Sequence, residues 1–145
     1  MNKIFIVILF FSSFCFGQNT DKDLVKENIE KLFSGMKSAD TAIIKSAFTQ
    51  TAILQTITKD GAVKTESLES FLSSISGLSK NDADERIKIE TIHIDGNLAS
   101  VFTPYEFYFK GKFSHCGANS FQLVKQNNVW KIQYLIDTRR KNCEK

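Results

Sequence analysis

At Glu85 the pattern of the chain changes. Before it, apolar residues recur every three or four positions. After it they alternate with polar ones in four runs: "RIKIETIHI", "LASVFTPYEFYF", "KFSHCGANSFQLVK" and "VWKIQYLIDTRR". Alternation is the period of a strand. Asp95-Gly96, Lys110-Gly111 and Gln126-Asn127-Asn128 separate the runs and read as tight turns. Strands joined so closely form an antiparallel meander, and its apolar face must be buried against something. Only three segments with a helical period precede it. A large sheet with so few helices has to bend around them.

The first of those segments, "DKDLVKENIEKLFSGMK", places Leu24, Val25, Ile29, Leu32, Phe33 and Met36 on one stripe, with Thr20 or Asp21 as its cap. "SADTAIIKSAF" reads as a short second helix capped by Ser38 or Asp40, with Ile43, Ile44, Ala47 and Phe48 apolar. "AILQTIT", from Ala52 to Thr58, is a β-branched strand, and Asp60-Gly61 is a turn signal after it. Thr65 is the expected cap of a third helix, "ESLESFLSSIS", whose Leu68, Phe71, Leu72 and Ile75 share a face. "GLSKNDAD" is a polar loop. Pro104 inside a strand implies a bend or an edge, and Gly117 a bulge or kink in its neighbour.

The chain of 145 residues has room for one domain with a core of its own. Its start stands apart. Lys3, the run "IFIVILFF" and the small residues after it read as a signal peptide over residues 1–17, cut after Gly17. Cys15 also admits a lipoprotein, although Phe14 is bulky for one. Residues 18–20 are then a short disordered lead, 21–140 the domain and 141–145 a tail. The apolar run is shorter than the ~20 residues that span a bilayer, so no stable membrane insertion is expected after cleavage. Removing Lys3 takes the net charge from +3 to +2. That mildly basic balance says little about nucleic acid; export to the periplasm or medium argues against it as a partner. Export also permits a disulfide between Cys116 and Cys143; two unpaired thiols are the alternative.

The order helix, helix, strand, helix and four-strand meander, ending in "WKI", resembles the nuclear transport factor 2-like domains, which include ketosteroid isomerase and the polyketide cyclases. "TPYEFYFKGKFSHCGANSFQLV" and "WKIQYLIDTRR" are similar to exported bacterial members of the lumazine-binding type. The resemblance runs from Asp21 to about Arg140. It implies an α+β fold in which a cone-shaped, curved antiparallel sheet wraps around three N-terminal helices. It also implies a pocket at the open end and a homodimer through the convex face. Enzymes and non-enzymes share such a fold.

Side chains alternate across a strand. Phe113, His115, Gly117, Asn119, Phe121 and Leu123 form the more apolar face of their strand and are assigned to the interior. Trp130, Ile132, Tyr134, Ile136 and Thr138 are assigned likewise, as are Val101, Thr103, Tyr105, Phe107 and Phe109. His115 and Asn119 then become polar tips in an apolar pocket, with Tyr105, Phe107, Phe121, Trp130 and Tyr134 as its walls or the core beneath them. Such walls suit a small apolar or aromatic ligand. His115 and Asp137 are the catalytic candidates, with a core histidine and an Asp137 ion pair to Arg139 or Arg140 as the structural readings. Glu106 reads as facing solvent or the dimer edge, with a buried acid of raised pKa as its alternative, His93 as an ordinary strand residue, and "RRK" at 139–141 as a solvated basic end.

Three functions follow as expectations: a small-molecule-binding protein, a cofactor-free acid–base enzyme using His115, or an interaction module without ligand. No CxxC or HxxxH spacing suggests a metal, no GxSxG a serine nucleophile, and no cofactor is expected.

Overall fold

The structure, a computed structural model, describes residues 20–143. The expected signal peptide, residues 18 and 19 of the lead, and Glu144 and Lys145 lie outside the described residues. Helix α1 (Asp21–Ser38) starts from a reciprocal cap: Asp23 N–H donates to the Thr20 hydroxyl and Thr20 N–H to the Asp23 carboxylate. Its stripe, Val25, Ile29, Leu32, Phe33 and Met36, is buried. After Ala39 in the left-handed conformation, Asp40 caps α2 (Thr41–Ala47) by accepting from the N–H groups of Ala42 and Ile43. The helices pack so closely that a Cβ on Gly35 would lie 2.7 Å from Ile44 Cγ1. Asn28, buried in α1, donates from Nδ2 to the Ala47 carbonyl at 3.1 Å and satisfies the end of α2.

Strand β1 (Phe48–Ile57) follows directly. The hairpin across Asp60-Gly61, with Gly61 at φ +83, returns as β2 (Val63–Glu66). Thr65 pairs with Gln55 and so is a strand residue; Ser67 caps α3 (Leu68–Ser76) in its place. Pairing with β1 outweighed the local capping signal.

The meander is antiparallel, but its first strand is divided. Strands β3 (Ala83–Ile87) and β4 (Thr91–Asp95) both pair with β5 (Leu98–Phe109). Ile87 faces Tyr105 whereas Thr91 faces Phe102, so the register slips by one residue. Pro104 lies at the slip. It has no N–H to donate, and the ladder there is carried by carbonyls, Lys88 N–H to Pro104 and Glu90 N–H to Phe102. Strands β6 (Lys112–Gln126) and β7 (Val129–Thr138) complete the order β2-β1-β7-β6-β5-β3, with β4 also on β5. Strand β1 runs parallel to β7, a pairing that needs a long connection rather than a tight turn. The α+β architecture is the expected one, with a mixed sheet.

Two further slips decide what faces inward. Phe107 pairs with His115 but Tyr108 with Phe113, which leaves Ser114 as an extra residue. Gln122 pairs with Tyr134 but Leu123 with Ile132, which leaves Gln133 extra. A one-residue slip exchanges the faces of a strand. Phe113 was expected inside; it is 46% exposed and meets Tyr108 edge-on, with ring centroids 5.8 Å apart.

The closed end of the cone is filled by Val25, Ile29, Trp130, Ile132, Ala99 and Leu123, with Phe33 set edge-on against Phe121 at 6.2 Å. The other end is not filled. At about 3.3 Å per residue β6 spans roughly 50 Å, whereas α1 at 1.5 Å per residue spans roughly 27 Å and α3 about half that. The sheet outruns its helices and leaves apolar wall without a filling.

Candidate functional site

That unfilled end is a cavity of about 430 Å³, within the roughly 300–1,000 Å³ common for small-molecule sites. Leu32, Phe33 and Met36 of α1, Phe71 and Ile75 of α3, and Leu54, Phe107 and Leu135 of the sheet give it apolar walls. Glu85, Tyr105, His115, Asn119, Asp137, Arg139 and Thr56 supply polar groups from the sheet, and Gln55, Glu66 and Ser74 also line it.

Asp137 is the hub. Its carboxylate accepts from Thr56 Oγ1 at 2.5 Å, Arg139 Nε at 2.9 Å and the Tyr105 hydroxyl at 3.2 Å. The Tyr105 hydroxyl lies 2.8 Å from the Thr138 carbonyl. That approach depends on Gly117, where a Cβ would stand 1.8 Å from the Thr138 oxygen and 2.8 Å from Tyr105 Cε1. Gly117 therefore marks close contact between strands.

Glu85 is the second carboxyl of the cavity. Asn119 Nδ2 donates to its Oε1 at 2.8 Å. Asn119 is its only hydrogen-bond partner among the described residues, so the other oxygen has no protein donor. Burial, aided by the negative charge of Asp137, pushes the Glu85 carboxyl up to about 7, although Asn119 and Arg139 pull the other way. Near neutral pH this group is divided between its acid and its carboxylate.

His115 stands between Tyr105, edge-on at 5.7 Å, and Phe107, tilted at 5.1 Å. The Ser114 hydroxyl is 3.1 Å from its Nδ1. Burial first, then the Arg139 charge, lowers its pKa below the usual histidine value, so the ring is neutral at pH 7.

The fold thus brings together His115, Asn119, Tyr105, Phe107 and Asp137 from the sequence-derived set. It does not bring the other three. Phe121 is fully buried in the core beneath the cavity. Trp130 lies at the closed end, where its Nε1 donates to Asp21 Oδ1 at 3.1 Å alongside Lys125 Nζ. Tyr134 follows the extra residue Gln133 and so leaves the inner face; its hydroxyl donates to Gln55 Oε1 at 2.8 Å. The same slip turns Leu135, Asp137 and Arg139 inward, the reverse of the simple alternation. Asp137 also makes the ion pair with Arg139, at 2.9 Å. Glu106 is exposed on the outer face, beside Tyr108.

Glu85 was missed. Its signal was parity: it shares a face with Ala83 and Ile87, an acid in phase with apolar residues. Cys116 and Cys143 are joined by a disulfide. Among the described residues no three His, Cys, Asp or Glu are placed to hold a metal ion, and no helix is long and apolar enough to cross a membrane.

A family model described as "Putative lumazine-binding" matches residues 20–133. Solved structures share the fold. An NTF2-like protein of unknown function from Shewanella baltica superposes with a TM-score of 0.69 at 19% identity, covering 86% of this chain and 100% of that one. An NTF2-like protein from Cytophaga hutchinsonii gives 0.65 at 14% identity, covering 84% and 100%. A domain of unknown function with a cystatin-like fold from Nostoc punctiforme gives 0.65 at 13%, covering 84% and 78%. No curated protein matches the chain.

Proposed function

The chain belongs to the putative lumazine-binding family, and from that footing we propose that it is an exported protein that holds a small apolar or aromatic molecule in the open end of its cone. The observation that carries this reading is the cavity itself: about 430 Å³, with apolar walls and a cluster of polar groups from the sheet. A ring system lies against Phe33, Phe71 and Phe107. Its polar edge meets the free oxygen of Glu85 and the neutral imidazole of His115. The disulfide between Cys116 and Cys143 supports export, since such bonds persist in oxidising compartments.

The test is retention. The purified protein is incubated with a total metabolite extract, washed by gel filtration, and the released small molecules are identified by mass spectrometry. A retained compound displaced by the Ser74→Trp substitution at the cavity wall is the expected result. Repeated recovery of nothing overturns the reading.

One observation favours a second reading, acid–base catalysis. A carboxyl raised to about 7 in an apolar cavity is suited to take and return a proton at neutral pH. Glu85, rather than His115, is then the proton carrier, with the Tyr105 and Asn119 groups beside it. Incubating the retained compound with the protein in D2O checks this: deuterium uptake by wild type and not by Glu85→Gln supports it, and no uptake by either removes it.

A further inference from the structure

The basic run Arg139-Arg140-Lys141 reads in sequence as a solvated end, yet the fold does not leave it free. Cys116 N–H donates to the Arg140 carbonyl at 3.0 Å, and Arg140 N–H to the Cys116 carbonyl at 2.7 Å. The disulfide to Cys143 closes the segment three residues on. Lys141 Nζ donates to the Ser114 carbonyl at 2.7 Å. These ties hold the run beside His115, at the mouth of the cavity.

Across the mouth the β1–β2 hairpin supplies Lys59 and Lys64. The groove between the two segments, about 840 Å³, is lined by Lys59, Lys64, Arg139, Arg140 and Lys141, and it shares Thr56, Glu66, His115 and Arg139 with the cavity. Glu66 is the one acid among its described lining residues, and it is engaged by the Ser70 hydroxyl at 3.3 Å. Arg139 is neutralised by Asp137. No ion pair among the described residues engages the other four cations. Like charges held around one groove repel unless an anion sits among them, and a concave mouth with low-dielectric walls focuses their field.

We propose that the ligand of the cavity is an amphipathic anion. Its apolar or aromatic body fills the cavity, and its carboxylate, sulfate or phosphate group sits on the rim made by Lys59, Lys64, Arg140 and Lys141. This rests on the cavity-binding reading above and narrows it to one chemical class. The disulfide then has a functional place, because it fixes one side of the rim.

A matched pair of fluorescent probes tests it. 8-Anilinonaphthalene-1-sulfonate and N-phenyl-1-naphthylamine share an arene and differ in the sulfonate. Each is titrated into the disulfide-bonded protein at low and high salt. The expected result is that the sulfonate binds about tenfold tighter at low salt, equivalent to ~1.4 kcal/mol, and that added salt erodes this preference. Lys64→Gln with Arg140→Gln, both exposed and without side-chain hydrogen bonds among the described residues, abolishes it while both probes still bind. Ser74→Trp weakens both probes and so places them in the cavity. Equal affinity for the two probes, or a preference indifferent to salt and to the double substitution, overturns the rim. Failure of both probes to bind overturns the cavity reading, and the rim with it.

Discussion

Glu85 concentrates the chemistry of the site in one side chain, and its pH dependence has a definite sign. Its folded value, about 7, lies above the ordinary 4.5. The native state therefore binds more protons than the unfolded state between those values, and stability falls as pH rises through that window. The loss is on the order of 2–3 kcal/mol, since each unit is ~1.4 kcal/mol and the cavity admits some water. Urea denaturation from pH 4 to 8 should show this slope in wild type and a flatter profile in Glu85→Gln, which keeps an acceptor for Asn119. His115 acts in the opposite direction. Its lowered pKa adds stability above its unfolded value of 6.5 that is lost as pH falls, so the Glu85 contribution is best read as the difference between the two proteins. Two other residues make sharp structural tests. Thr103 is fully buried with an unpartnered hydroxyl; Thr103→Val should raise stability by about 1 kcal/mol by removing that polar group, seen as a higher urea midpoint. Gly117→Ala should cost about 3 kcal/mol or more, because its methyl collides with the Thr138 carbonyl rather than with a movable side chain.

At the scale of elements, the ends of β6 and β7 decide the site. Alternation alone identified the strands and most of the inner face of β5 and β6, since Val101, Thr103, Tyr105, Asn119, Phe121 and Leu123 are buried where parity places them. It failed at Ser114 and Gln133, where an extra residue reverses parity. A bulge has no strong local signature, because it arises from fitting two strands of unequal path length in a twisted sheet. Asp137 and Arg139 were therefore named as residues but placed on the wrong face. The disulfide ties this same end together. Across its separation of 27 residues, a Cys116→Ser, Cys143→Ser protein should lose about 3.5 kcal/mol on chain-entropy grounds, measured by denaturation against the oxidised wild type. Proteolysis should then open the chain first after Arg139, Arg140 or Lys141, as mass mapping of trypsin fragments would show.

For the whole molecule, the outward side of β5 and β6 carries Phe102 and Phe113, both more than 40% exposed. Beside Phe113, Tyr108 lies under the Arg86 guanidinium at 4.0 Å. This is the face through which the resemblance implies a homodimer. Sedimentation checks that expectation: a dimer for wild type and a monomer for Phe102→Asp bear it out, and a monomeric wild type overturns it. What the amino-acid order determined by itself was most of what has a short period: three amphipathic helices in order, the tight turns, and a sheet too large for them to cover; β2 and the cap of α3 escaped it. Such features depend on neighbours within a few residues. What only the tertiary structure decided was which side chains share the hollow. Glu85, Asn119, Asp137 and Thr56 come from four strands, and their meeting depends on register slips and on the distance by which the sheet overruns its helices. Those are properties of packing between distant segments, which no local pattern records.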